Sequence, residues 1–173
     1  MRDLLQYLPV VADFPRPGIA FRDICPLLAD AAAFDQALAS MEELVQHWQV
    51  DRIAGIESRG LIFAAALAAR MHLGLVPIRK PGKLPPQTLR ENYALEYGQD
   101  GLEVQHAAFQ AADQVLLVDD VIATGGTLLA AARLVQRLGA RVAGVVSVLE
   151  IGALDGRARL ESAGLEVRTV LRD

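Results

Sequence analysis

Apolar positions along the chain follow two rhythms. Phe34, Ala37, Leu38, Met41, Leu44, Val45 and Trp48 recur at helical spacing, which predicts an amphipathic helix over "FDQALASMEELVQHW" (34–48). Short apolar runs then read as strands: "DRIAGIE" (51–57), "LVPIRK" (75–80), "VLLVDD" (115–120), "RVAGVVSVLE" (141–150) and "LEVRTVL" (165–171). Between them the pattern predicts a helix over "GLIFAAALAARMHLG" (60–74), closed by Gly74. A second lies over "TLLAAARLVQRLG", stopping at Gly139, and a short one falls near Gly156 to Ala163. Such an alternation gives an α/β fold, a central parallel sheet flanked by helices on both faces.

Two stretches break the rhythm. "DFPRPGIAFRDI" (13–24) carries too much Pro and Gly for a helix, and 81–101, "PGKLPPQTLRENYALEYGQDG", is a long polar excursion between core strands. Loops of that length in a compact domain are functional lids or disordered segments. The expectation is one domain over 1–173, with a small N-terminal hood at about 1–30 and a flexible flap at about 81–101.

Composition narrows the setting. Hydrophobic residues make up 53% of the 173 and charged residues 22%, enough to bury a proper core. The net charge of −4 argues against a general nucleic-acid or membrane-surface binder. The single cysteine, Cys25, cannot form an intrachain disulfide and is expected as a small buried residue in a reducing compartment. The N-terminal stretch lacks a signal-peptide core, and the longest apolar run, 61–69, is far below the roughly 20 residues that span a bilayer. The expected location is therefore cytoplasmic. His47, His72 and His106 are scattered without ligand spacing, so no zinc site is anticipated.

The chemistry concentrates in "VLLVDDVIATGGTLLAA" (115–131). Asp119 and Asp120 end an apolar strand, where ligands of open α/β sheets sit. Beyond them Gly125 and Gly126 allow close backbone approach, the next helix offers unpaired N–H groups, and Thr124 and Thr127 add hydroxyls. That is a seat for phosphate, distinct from both the P-loop and the dinucleotide fingerprint. Carboxylates beside an anion seat make sense if the ligand also carries hydroxyls, because an ionised carboxylate only accepts hydrogen bonds. A ribose 5-phosphate satisfies both demands, its diol on Asp119 and Asp120 and its phosphate on Ala123, Thr124, Gly125, Gly126 and Thr127. The plainer alternative is a helix cap and a turn.

Glu57-Ser58-Arg59-Gly60 follows another strand and opens another helix, making a second anion seat with the donor fork of Arg59. Arg79, Lys80, Lys83 and Arg90 gather in "RKPGKLPPQTLR" around a hinge-like Pro81-Gly82. Such a run is ordinarily a solvated face, but it also suits a lid closing on an anionic leaving group.

"VLLVDDVIATGGT" closely resembles the phosphoribosyl-pyrophosphate signature of the type I phosphoribosyltransferases. "DFPRPGIAFRDI", "GIESRGLIFAAALA", "IRKPGKLP" and "YALEYG" occur in the order found in the branch of that family that acts on adenine. The resemblance implies transfer of phosphoribose to adenine, giving AMP and pyrophosphate, in a homodimer. It implies pyrophosphate binding by Glu57, Ser58, Arg59, Arg79, Lys80 and Lys83, with a strained or cis Glu57–Ser58 peptide and with Arg79 acting across subunits. Ala20, Phe21 and Arg22 would form the adenine hood. Glu96, beside Tyr97, would handle the purine's imidazole proton and join Arg59, Asp119 and Asp120 as catalytic residues. The family carries a larger aliphatic side chain where Ala20 stands. Mg²⁺ would be held mainly through substrate, with Asp119 and Asp120 as the protein's candidates for direct contact. Transfer to another purine, or a non-catalytic phosphoribosyl-pyrophosphate sensor, are the competing readings.

Overall fold

The structure, a computed structural model, describes residues 3–95 and 98–173. They form two compact units, 1–40 and 41–173.

In the first unit, β1 (Val10–Val11) pairs antiparallel with β2 (Phe21–Arg22), matching Val10 to Arg22 and Val11 to Phe21. Arg22 Nη1 donates to the Leu8 carbonyl at 2.9 Å. The Phe14 and Phe21 rings meet edge to face with centroids 5.0 Å apart, and the Phe14–Pro15 peptide is cis. A short helix, α1 (Cys25–Ala29), follows, starting where the Asp23 carboxylate accepts the Cys25 N–H at 2.9 Å. Ile24 and Leu27 take its buried positions, so Cys25 is exposed, not buried as the sequence suggested. α2 (Ala31–Val45) runs across the unit boundary and buries Ala33, Ala37, Met41 and Val45, one residue per turn.

The predicted helix over 34–48 thus begins and ends three residues early. Trp48 lies in the turn beyond α2, its N–H on the Val45 carbonyl. Its ring covers Gly144, where a Cβ would fall 2.3 Å from the indole.

The second unit holds a five-stranded parallel sheet in the order β4 (Gly74–Ile78), β3 (Arg52–Ile56), β7 (Gln114–Ile122), β8 (Arg141–Glu150), β9 (Val167–Arg172). α3 (Gly60–Met71), α4 (Gly126–Arg137) and α5 (Gly156–Ser162) connect them. α3 is closed by His72 in the left-handed conformation (φ 56°), and Gly74 belongs to the next strand. Because β3 sits between β4 and β7, the chain reverses direction across the sheet there. The crevice beyond the carboxyl ends of β3 and β7 is the switch point where such sheets bind ligands.

The expected flap is an antiparallel hairpin of β5 (Thr88–Leu95) and β6 (Gly98–Gln105). Its base belongs to the core: Leu102 and Val104 are fully buried, and Leu89 and Tyr93 pack against the same cluster. Glu91 sits among them because Arg137 and Arg133 of α4 reach it at 2.8 and 3.4 Å.

At the far edge, Glu150 is 2% exposed and accepts Arg157 Nη2 at 2.6 Å and Nε at 2.8 Å. Arg157 also donates to the Val167 carbonyl and to Thr169 Oγ1. Burial alone would raise the Glu150 carboxyl, but the Arg157 guanidinium holds it below its ordinary range. Removing Arg157 leaves the buried carboxylate to the exposed Arg172, 3.7 Å away, and the Thr169 hydroxyl, so Arg157→Ala should destabilise the fold by about 3 kcal/mol in urea denaturation, the lower end for breaking a buried pair. The apolar double variant Glu150→Leu/Arg157→Met should lose less than Arg157→Ala alone.

Candidate active site

The loop after β7 forms a hollow of about 70 Å³ lined by Asp119, Ala123, Thr124, Gly125, Gly126 and Thr127, with Val121 and Leu128 behind. Its lining of loop backbone and two threonine hydroxyls suits a small tetrahedral oxyanion. Gly125, at φ 75°, precedes α4, whose first turn has no capping side chain. Those N–H groups and the positive end of the helix dipole face the same space.

The loop is packed from behind. A Cβ on Gly156, at the start of α5, would fall 2.1 Å from the Ala123 carbonyl, and one on Gly125 would fall 2.9 Å from the Gly156 carbonyl. Arg159 Nη1 reaches the Thr124 carbonyl at 3.4 Å. Sequence reasoning missed this support; its signal was Asp155-Gly156, a turn pair directly before a helix.

The two aspartates divide their tasks. Neighbours on a strand face opposite sides of the sheet. Asp119 lines the hollow, whereas Asp120 is 4% exposed with Oδ2 2.7 Å from Arg59 Nε, an ion pair without hydrogen-bond alignment. Asp119 Oδ1 accepts the Asp120 N–H at 2.9 Å. Desolvation and the neighbouring Asp120 charge push the Asp119 carboxyl well above its ordinary range, though Arg59 opposes this.

Arg59 brings in the second loop, which has the anticipated cis peptide between Glu57 and Ser58. A Cβ on Gly60 would fall 2.6 Å from Asp119 Oδ1, so only a glycine lets α3 start against the acid. The two loops therefore adjoin. Glu57 accepts Arg79 Nη2 at 3.0 Å and the Lys80 N–H at 2.7 Å. Burial raises the Glu57 carboxyl, but these donors outweigh it and hold it below its ordinary range. Arg79 Nη1 also donates to the carbonyl of Lys83, whose side chain is exposed, as is Ser58. The Lys80 ammonium donates to Tyr93 OH at 2.9 Å and to Asp100 Oδ2, and Thr127 Oγ1 stands 3.5 Å from the same Tyr93 hydroxyl.

Of the remaining sequence-derived residues, Ala20, Phe21 and Arg22 lie in the first unit, with Ala20 exposed and Phe21 half-buried against Phe14. Glu96 and Tyr97 fall outside the described residues. Tyr93 and Asp100 were not foreseen at the site; they come together because the hairpin register places them opposite one another.

Two adjoining glycine-bearing loops at a switch point, one with an acid at its rim, have the form expected of a protein that handles phosphorylated sugars. The model of the phosphoribosyl transferase domain matches residues 27–164. The adenine phosphoribosyltransferase of Polynucleobacter asymbioticus is 49% identical over 98% of this chain and 99% of its own length. Among solved structures, adenine phosphoribosyltransferase from Thermoanaerobacter pseudethanolicus superposes with a TM-score of 0.96 at 40% identity, covering 99% of this chain and 98% of that one. The Rhodothermus marinus enzyme gives 0.93 at 46% identity over 98% and 96%. The chain belongs to the phosphoribosyltransferase family, in its adenine phosphoribosyltransferase branch.

Proposed function

We propose that this enzyme transfers the 5-phosphoribosyl group of phosphoribosyl pyrophosphate to adenine, yielding AMP and pyrophosphate in purine salvage. The observation that carries this reading is the contact between the two anion loops through Gly60, Asp119, Arg59 and Asp120. The reaction needs a monophosphate seat and a diphosphate seat one sugar apart.

In this reading the 5-phosphate rests in the 123–127 loop and the ribose diol donates to Asp119, with Asp120 behind it. Pyrophosphate lies on the 57–59 loop and on Arg79, Lys80 and Lys83. As the bond from the anomeric carbon to pyrophosphate breaks, positive charge grows on the sugar, and the carboxylates stabilise it. The purine nitrogen forms the new bond and its proton passes to Glu96. Ala20, Phe21 and Arg22 meet the base, the Phe21 face by stacking and the backbone by a pattern that accepts a 6-amino and rejects a 6-oxo purine.

The donor set fits Mg²⁺. Its protein oxygens are carboxylates, Asp120 Oδ2 is buried without an aligned donor, and no group of three or more ligating side chains occurs among the described residues. An ion held chiefly by substrate oxygens and waters suits such a site, with Asp119 and Asp120 as its protein contacts. When bound it neutralises charge on the leaving diphosphate. Among the described residues no helix is long and apolar enough to cross a membrane; we place the enzyme in the cytoplasm, as a homodimer in which Arg79 serves the neighbouring site.

Pyrophosphate release should appear with adenine and Mg²⁺, fall sharply without Mg²⁺, and stay near background with hypoxanthine or guanine. Light scattering on the same sample should read about twice the 18.6 kDa chain mass. A preference for a 6-oxo base would overturn the hood assignment, and tight phosphoribosyl-pyrophosphate binding without turnover would make the protein a sensor.

A further inference from the structure

Lys80, assigned above to pyrophosphate, has partners of its own within the chain. Its ammonium donates to Asp100 Oδ2 and to Tyr93 OH and stands 5.5 Å from the centre of the Tyr93 ring. Tyr93 OH in turn lies 3.1 Å from Asp100 Oδ2, and the other Asp100 oxygen accepts the Gly101 N–H at 2.8 Å. The carboxylate thus meets the lysine much as a phosphate oxygen would, from the turn end of the hairpin, opposite Tyr93. The backbone of the same lysine is fixed to Glu57 of the pyrophosphate loop. Through Tyr93 the ammonium stands two hydrogen-bond lengths from Thr127 at the sugar-phosphate seat.

We propose that Asp100 is an internal stand-in for the diphosphate, holding Lys80 in the empty site and giving it up when pyrophosphate or phosphoribosyl pyrophosphate arrives. This rests on the assignment of Lys80 to pyrophosphate. The pair is suited to exchange because both side chains are about a third exposed, at 36% and 28%, and ion pairs so placed are weak. A multiply charged diphosphate can outbid one carboxylate; a single inorganic phosphate gains less from the exchange. Asp100 therefore acts as a positioning residue that keeps the lysine ordered until an anion displaces it.

The test is titration calorimetry with inorganic pyrophosphate and Mg²⁺, repeated with inorganic phosphate. Asp100→Asn keeps the shape of the side chain and removes its charge. It should tighten pyrophosphate by about three- to fivefold, the worth of one partly exposed ion pair, and tighten phosphate by no more than that. Lys80→Met should weaken pyrophosphate, and adding Asp100→Asn to it should restore nothing. In the unmodified chain, carbon-detected NMR supplies a readout independent of folding defects. Burial raises the Asp100 carboxyl, but Lys80 and the Gly101 N–H hold it below its ordinary range. Saturating pyrophosphate should let it rise. Unchanged or weaker pyrophosphate binding in Asp100→Asn, or an Asp100 titration indifferent to pyrophosphate, would overturn the exchange alone. Unchanged affinity in Lys80→Met would remove the lysine assignment and the exchange with it.

Discussion

Asp119→Asn should lower kcat/KM by about 10²–10³-fold, the usual loss when one preorganised electrostatic group is removed, while raising the melting temperature of the ligand-free protein. Both effects come from one cause. Burial and the adjacent Asp120 disfavour the ionised Asp119, so its carboxyl titrates well above the ordinary value of 3.8. Between the unfolded and folded titration points the native state binds more protons than the unfolded one, and stability falls as pH rises through that window. Above the folded titration point the strain is fully present. Asparagine has no charge to strain, so the variant should be more stable there and should lose the decline with pH. The same charge is what the developing cation on the sugar requires. Thermal melts from acid to neutral pH, paired with initial rates, check both halves. A variant that is inactive and also less stable would mean Asp119 serves the fold.

Gly156→Ala should raise KM for phosphoribosyl pyrophosphate by about two orders of magnitude although residue 156 would touch no substrate. The new methyl would stand 2.1 Å from the Ala123 carbonyl, and neither backbone can yield without moving the other. A displacement near 1 Å at a positioning loop costs about 10²-fold. Affinity for adenine should change far less, since Ala20, Phe21, Arg22 and Glu96, proposed to meet the base, are not part of the displaced loop. Steady-state kinetics with each substrate varied in turn separates the two constants. An equal rise in both would point to general unfolding, which circular dichroism would reveal.

How much of this was legible beforehand depended on whether local pattern and tertiary setting agreed. The runs Val115–Val118 and Val145–Leu149 are buried on both faces and apolar but for Ser147, because helices cover both faces of the sheet, so their strands could be read directly. The glycine loop was equally legible, since its chemistry is local. The hairpin was not. Its inward face carries Glu91 and Asp100 beside Leu89, Tyr93, Leu102 and Val104, and those acids spoil the alternation. They face inward only because Arg133 and Arg137 on α4, and Lys80 after β4, supply their counter-charges. The end of α3 misled for a similar reason. Gly74 looked like a stop, but His72 adopts the left-handed turn and leaves the glycine to lie beside Arg52, whose guanidinium a Cβ there would meet at 2.7 Å. The support behind the phosphate loop pairs residues more than thirty positions apart, beyond any local pattern.

The knot of Glu150, Arg157, Thr169 and the Val167 carbonyl ties β9 and the end of β8 to α5, and Gly156 of α5 is the shelf beneath the sugar-phosphate loop. The edge strand β9 thereby helps set the position of the 123–127 loop and, on the proposed reading, the height at which the nucleotide's tail would come to rest. If the phosphate sits there, part of the grip on substrate belongs to residues behind the loop, and drift in β9 or α5 should be felt first as lost affinity.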